Sequence, residues 1–447
     1  MLCKSFLFMA NTNLLKRSKR FLDVKRYIMI SRNAHTDSEK SENNDIKKQN
    51  KMIKKTKSKE VQTNKKNTKK SSNQRFIEYS DNLDLKIIHM HPNVLMKTVG
   101  NDRNLLYLID NHAAAEFASM IKDDLLKDTC FVAELNPGVG MLTTELLKAD
   151  IPLIHLYEEN KVFDPILDSL SYTYPGRLDR RRFNLLKINI LLHIDKITNR
   201  DEMQKVFQGV ETKRWENTCM QVIGMTSTMK FIRHVVYSLL FRNSFMTYGR
   251  TVFYMAISPT MWHKCTCDNK QNTMYTTLKV LFQLMFDYKL LGKLKRKAFL
   301  PWPMKRKKKR RGHRNEILDE LDYNEMFVVK LEPKGDMYSI LSQEDWIIFW
   351  YFVRHTMRRR SNRVILEIEK WIPDSGVKII AQFNHTIFTE FGDLTPDEFL
   401  KLFKEFQSWP EYKTSSFLDS MKDALSMFDE PAVLQLYAKQ NNMQDQS

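Results

Sequence analysis

The residues best suited to chemistry lie in one short stretch and one later carboxylate. The stretch runs Phe131-Val132-Ala133-Glu134-Leu135-Asn136-Pro137-Gly138-Val139-Gly140-Met141-Leu142-Thr143, and the later acid is Glu158. Glycines let a ligand approach the backbone closely. A carboxylate about 20 residues beyond such a turn can accept hydrogen bonds from ribose hydroxyls. No lysine follows the glycines, which excludes a phosphate-gripping P-loop. The composition of this stretch therefore predicts a cradle for a nucleoside-bearing ligand.

Such a cradle needs a strand before it and a helix after it. The apolar run from Phe131 predicts a buried strand, and Leu142, Leu146 and Leu147 share one face of the helix that follows. Further strands are expected at Leu153–Leu156, Leu185–Ile190, Met220–Ile223 and Val252–Ile257. Helices are expected at Ala113–Leu126, Met229–Phe241 and Tyr275–Leu290. Alternating strands and helices predict a doubly wound, mostly parallel sheet. A basic, proline-broken linker from Lys293 to Arg314 follows, and then a strand, Phe327–Leu331, to close the sheet. Beyond it the pattern is helical: Trp346–Met357, Val364–Trp371, Pro396–Phe406 and Ser415–Met427. The expected fold is α/β, with a small helical domain at the C-terminal end and a groove between the two.

Charge is concentrated outside that body. The chain has 447 residues and a net charge of +19. Residues 1–75 hold 21 Lys/Arg against 6 Asp/Glu, and Lys305–Arg314 adds eight more positive charges. What is left is slightly acidic, so attached elements rather than the fold carry any affinity for polyanions. Before Asp23 there are five basic residues and no acid, with Leu14, Leu15, Phe21 and Leu22 available as an apolar face. That composition predicts a matrix-targeting segment over residues 1–36. Residues 37–75 contain four aliphatic or Met side chains amid Lys, Asn and Ser, too few to offset chain entropy, so a disordered arm is expected. The remaining boundaries are 76–335 for the α/β domain, 336–430 for the helical domain and 431–447 for a tail. Five scattered cysteines give no disulfide framework. His263, Cys265 and Cys267 have no second ligand pair at a zinc spacing, so no metal site is assigned. No apolar run reaches the ~18 residues of a transmembrane helix, so no membrane partner is expected.

The glycine stretch is more specific than a generic cradle. Glu134-Leu135-Asn136-Pro137-Gly138-Val139-Gly140-Met141-Leu142-Thr143 resembles the first motif of the adenine-N6 dimethyltransferases that modify small-subunit rRNA, with Asn136-Pro137 at the family's first glycine. Further landmarks appear in family order. They are Tyr107-Leu108-Ile109-Asp110, Phe299-Leu300-Pro301-Trp302-Pro303, Phe327 to Pro333, and Leu394-Thr395-Pro396-Asp397-Glu398-Phe399. The family's mitochondrial branch has two animal paralogues: one methylates rRNA, and the other serves mainly as a transcription initiation factor. The Asn-Pro loop resembles the second. The resemblance implies a Rossmann-like class I methyltransferase sheet. It also implies an S-adenosylmethionine site formed by Leu108, Glu134, Asn136, Gly138, Gly140, Glu158 and Asn189.

The same resemblance implies that the chemistry is eroded. The family holds its target adenine with an Asn-Leu-Pro-Tyr/Phe loop after the fourth strand, the amide accepting from N6 and the ring stacking on the base. Here Gly224, Met225, Thr226 and Ser227 stand in that place. Losing such an acceptor costs about 2–4 kcal/mol of transition-state stabilisation. Asn189 replaces an aspartate, and Leu105-Leu106 replace Gln-Asn at the cofactor lip. No catalytic residue is therefore assigned, and S-adenosylmethionine is expected to bind weakly or as a vestige. The leading expectation is a nucleoid-associated factor of the mitochondrial matrix that binds the mitochondrial RNA polymerase and melted promoter DNA. Lys305, Arg306, Lys307, Lys308, Lys309, Arg310 and Arg311, with Arg358, Arg359 and Arg360, would contact phosphates. Trp302, Trp346 and Trp350 are candidate stacking partners or helical core. The alternatives are an active rRNA dimethyltransferase and a non-catalytic assembly factor bound to small-subunit rRNA.

Overall fold

The computed structural model describes residues 105–128, 130–198, 201–269, 275–301 and 321–429. The expected targeting segment, the lysine-rich arm, Trp302, the run Lys305–Arg311 and the tail all lie outside the described residues.

Among the described residues there are nine strands: β1 Tyr107–Leu108, β2 Phe131–Leu135, β3 Ile154–Tyr157, β4 Leu178–Arg181, β5 Thr218–Met225, β6 Arg250–Ile257, β7 Phe286–Lys295, β8 Phe299–Leu300 and β9 Glu325–Pro333. Seven of them form one sheet in the order β4-β3-β2-β5-β6-β9-β7. The first five run parallel, and β9 lies antiparallel between β6 and β7. This is the class I methyltransferase arrangement. β2 and β5 are buried at every position, as central parallel strands covered on both faces must be.

Period-two alternation sends side chains to two separate cores. Ile223, Tyr254 and Val328 face one core, which is covered by α1 Asn111–Lys127, α2 Met141–Lys148 and α3 Asp164–Thr173. Val222, Phe253 and Val329 face the other, covered by α5 Met229–Phe241 and α7 Thr277–Met285. Between these elements lie α4 Ile188–Thr198 and α6 Pro259–Thr266. The second core runs without a break into the C-terminal helices α8 Gln343–Thr356, α9 Val364–Glu369, α10 Ser375–Phe383, α11 Pro396–Ser408 and α12 Ser416–Asp429. The Trp350 ring stands edge-on to Tyr237 at 6.1 Å and to Phe241 at 5.7 Å, while Gln343 Nε2 donates to Leu240 O at 2.6 Å. Trp346 and Trp350 are each 1% exposed, so both are core and not platforms for bases.

The Leu-Thr-Pro landmark has a local cause. Thr395 and Glu398 form a capping box at the start of α11, with Pro396 in its first turn. No helix among the described residues is long and apolar enough to cross a membrane.

Three expected elements are corrected. Leu185–Ile190 is not a strand: Leu185–Lys187 is a 3-10 turn and Ile188 begins α4. The strand lies earlier, at β4, whose Leu-Asp-Arg-Arg sequence is too charged to read as one. Its charges suit a sheet edge. Arg181 lies over the Phe131 ring at 5.1 Å and donates to Val206 O and Gln208 O. The helix expected over Tyr275–Leu290 stops at Met285, and β7 begins at once. The strand expected to close the sheet is instead inserted inside it, leaving β7 at the edge.

Candidate functional site

The glycine loop leaves the carboxyl end of β2 and turns sharply into α2. Three of its residues adopt left-handed backbone, Asn136 at φ +48°, Gly138 at +59° and Gly140 at +72°. The loop is fixed from both sides. Asn136 N donates to Tyr157 O at 2.9 Å, and Gly140 N donates to Pro137 O at 2.9 Å. A Cβ built on Gly138 would meet the Tyr107 ring at 2.5 Å, and one on Gly140 would meet Leu170 Cδ1 at 2.4 Å. At Gly138 packing and backbone conformation therefore both demand glycine, whether or not a ligand binds; at Gly140 the left-handed backbone does.

The entry motif is the floor of this loop. β1 pairs antiparallel with β8, placing Tyr107 opposite Leu300 and Leu108 opposite Phe299. Two landmarks far apart in sequence thus form one ribbon. Asp110 then caps α1, its Oδ1 accepting from Ala113 N at 3.0 Å. Tyr107 packs on Phe163, ring centroids 5.0 Å apart, and Leu106 and Leu108 are buried beside it.

Both predicted carboxylates reach the loop. Glu158 follows β3; its Oε2 accepts from Gly138 N at 3.2 Å and its Oε1 from Asn160 N at 2.9 Å. Burial pushes its carboxyl up to about 7, against the pull of those two N–H groups. Each carboxylate oxygen keeps a second lone pair for a ligand hydroxyl. Glu134, on β2, is fully buried, and its Oε2 accepts from Thr143 Oγ1 at 2.8 Å. Burial raises it to about 8, with Glu158 adding to the rise, so this carboxyl holds its proton near neutral pH. Its Oε1 has no partner, and neither has the Oδ1 or the Nδ2 of Asn136, which is 1% exposed. A buried amide left unpaired costs about 1–3 kcal/mol for each group. A donor and acceptor pair held unsatisfied in a loop of this shape suits a polar ligand.

One expectation about the cradle changes. Asn189 lies within α4 and is half-buried, away from the strand end it was expected to occupy. Asn184 is the residue in the turn directly after β4; it is buried, and its Oδ1 accepts from Leu186 N at 3.0 Å. The signal for it was an Asn preceding a short apolar helix start, obscured once β4 went unrecognised.

The segment that stands where the resembled family holds its adenine follows β5. Gly224 is the penultimate residue of that strand, and a Cβ there would meet Leu135 Cβ at 2.8 Å. It has no space for an acceptor side chain. Met225 is core. Thr226 is buried, and its Oγ1 accepts from Thr228 N at 3.2 Å, while Thr228 Oγ1 accepts from Lys230 N at 3.2 Å as the cap of α5. Ser227 is exposed. The segment offers no amide and no ring.

The basic residues divide by role. Arg358 and Arg359 are exposed on the turn after α8. Arg360 is half-buried, and its Nη2 donates to Gly392 O at 2.8 Å and Asn269 O at 3.3 Å, so it staples loops together. Cys265 and Cys267 are buried, and no group of metal-ligating side chains is found among the described residues.

No protein-family model matches the chain. It is 27% identical to the mitochondrial dimethyladenosine transferase 2 of Drosophila melanogaster over 360 residues, 72% of this chain and 79% of that protein. The bovine protein of the same name is 26% identical, over 66% of this chain and 75% of its own. The human one is 24% identical, over 67% and 77% respectively. Among solved structures, the 23S rRNA methyltransferase ErmE aligns at 13% identity with a TM-score of 0.44, covering 68% of this chain and all of that one. A dimethyladenosine transferase from Plasmodium falciparum aligns at 13% identity with a TM-score of 0.42, covering 64% of this chain and 95% of its own. With its sheet order, its glycine loop and its landmarks in family sequence, the chain is similar to the proteins named mitochondrial dimethyladenosine transferase 2 and has the methyltransferase fold.

Proposed function

We propose that this protein is a mitochondrial transcription initiation factor on a dimethyltransferase fold, assisting the mitochondrial RNA polymerase in opening promoter DNA. The observation that carries the loss of methyl transfer is the segment after β5. An adenine to be methylated at N6 must be flipped out and held by an acceptor and a ring. At Gly224 the fold leaves no room for a side chain, and the hydroxyls of Thr226 and Thr228 accept from backbone N–H groups. The relatives named mitochondrial support the location, with the matrix nucleoid as its setting. Arg358 and Arg359 are exposed cations suited to a single-stranded backbone, and the run Lys305–Arg311 supplies seven more.

S-adenosylmethionine is the ligand whose chemistry suits the cradle. Asn136 and the unpaired oxygen of Glu134 would take its polar amino-acid end, and Glu158 its ribose hydroxyls; Leu108 and the backbone of Gly138 and Gly140 would form the walls. When bound, this cofactor supplies an electrophilic methyl group. Its affinity is reduced, because Leu105 and Leu106 offer no polar group at the lip.

The test combines purified full-length protein, the polymerase and a promoter template. Promoter-specific transcripts should require the protein, while an rRNA hairpin incubated with S-adenosylmethionine should gain no methyl group. Turnover on the hairpin without any effect on transcription would overturn the proposal in favour of an active dimethyltransferase.

A further inference from the structure

Where the sheet meets the helical bundle, a lysine is buried without a carboxylate. Lys279, on α7, is 1% exposed. Its Nζ hydrogen-bonds Cys267 Sγ and stands 5.9 Å from the centroid of the Tyr275 ring. Among the described residues no Asp or Glu forms an ion pair with it. Unpaired amines are rarely left in a protein interior, because their desolvation is repaid by nothing. The contact is also held by the backbone. One turn beyond Lys279, Gln283 Nε2 donates to both Cys265 O at 3.1 Å and Cys267 O at 2.9 Å, clamping the cysteine segment to the helix. Cys267 is itself buried at 5% exposure. A thiol is thus fixed against an amine in a site with little water.

We propose that Cys267 and Lys279 form a covalent modification site, at which a peroxide-class oxidant joins Sγ directly to Nζ. In the first step the sulfur attacks one peroxide oxygen and the O–O bond breaks. The thiol proton leaves with the departing oxygen as water, and Cys267 becomes a sulfenic acid. In the second step the Nζ lone pair attacks that sulfur and the S–O bond breaks. The departing hydroxide takes an amine proton as a second water, leaving an S–N sulfenamide. Sulfur loses two electrons, and one peroxide is reduced to two waters.

Two neighbours direct the chemistry to this pair. The other thiol of the segment, Cys265, has no amine hydrogen-bonded to its sulfur among the described residues, and burial pushes it up to about 12. The segment after Cys267 carries Asn269, whose Nδ2 donates to Asp393 O and whose carbonyl accepts from Arg360 Nη2. A bond from Cys267 to α7 therefore fastens the seam between the sheet domain and the bundle.

The experiment is peptide mass spectrometry on the full-length protein, treated with hydrogen peroxide or with dithiothreitol, then denatured and alkylated. The peroxide sample should contain the Cys267 and Lys279 peptides joined, lighter than their sum by two hydrogens, and dithiothreitol should release them. Cys265→Ser should keep the link and Lys279→Arg should abolish it. Melting of the wild type should shift upward after peroxide and return after dithiothreitol. Recovery of Cys267 fully alkylated from the peroxide sample would overturn the proposal. So would a Cys265–Cys267 disulfide, a cross-link retaining an oxygen atom, or an unshifted melting curve.

Discussion

Gly138→Ala should destabilise the protein far more than Gly176→Ala, although both glycines have left-handed backbone, at φ +59° and +74°. A side chain in that region costs roughly 1–2 kcal/mol. Replacing glycine returns about 0.4–1 kcal/mol by restricting the unfolded chain. At Gly176 nothing lies within 4 Å of the new Cβ, so the two effects nearly cancel and a loss of about 0.5 kcal/mol is expected. At Gly138 the Cβ meets Tyr107 Cδ1 at 2.5 Å, and that ring is buried between the loop and Phe163. Overpacking adds roughly 1–3 kcal/mol, for a total of about 1.5–3.5 kcal/mol. For a body of this size that is a fall of roughly 2–6 °C in Tm. Urea or thermal denaturation of the full chain measures it, and a double-mutant cycle assigns the cause. In a Tyr107→Leu background the cost of Gly138→Ala should shrink by about 1–3 kcal/mol, the steric share. Equal losses at Gly138 and Gly176, or no coupling to Tyr107, would refute the claim that packing rather than a ligand demands this glycine.

Between pH 5 and 8 stability should decline, because Glu134 and Glu158 are held above their unfolded values. The folded state then binds the extra protons, and the advantage is lost as pH rises through about 7 and 8. Glu134→Gln should flatten that slope in denaturation curves taken across the range; an unchanged slope would place the titration elsewhere. Asn136→Gly should weaken S-adenosylhomocysteine binding in calorimetry by removing the unpaired amide, whereas tighter binding would show that Asn136 blocks the cradle. Gly224→Asn should cost about 1–3 kcal/mol of stability against Leu135 and restore no methylation, which a radiolabelled methyl-transfer assay checks. Arg360→Ala should lower Tm without changing the salt dependence of single-strand binding. Replacing Lys305, Lys307, Lys308 and Lys309 should leave Tm unchanged and reduce the log–log salt slope by about 0.7 for each phosphate that is no longer neutralised.

How far the sequence could be read depended on which signals were local. β2 and α5 matched expectation because a short apolar run and an amphipathic stripe are complete in themselves. The boundary at Met285 was hidden: Leu281, Phe282, Leu284, Met285 and Phe286 satisfy either period, and pairing with β9 decides for a strand from Phe286 onward. β4 was hidden by its arginines; the partners of Arg181, the rings of Phe131 and Tyr157 and the carbonyls of Val206 and Gln208, are distant in sequence. Missing that strand put Asn189 at an expected strand end, where the structure has a helix. The roles of Arg360 and Lys279 were also illegible, because a charge run and a helix-face lysine look the same whether solvated or sequestered.

The placement of β9 has a consequence for synthesis on the ribosome. β7 emerges first but has no sheet neighbour except β9, and β6 also waits for β9 on its outer side. Until Pro333 has left the exit tunnel, two strands present bare hydrogen-bonding edges. A nascent chain stalled, cleaved or truncated within this interval would not be a shorter protein with an intact methyltransferase domain. It would be an adhesive intermediate that calls for a chaperone until β9 is paired.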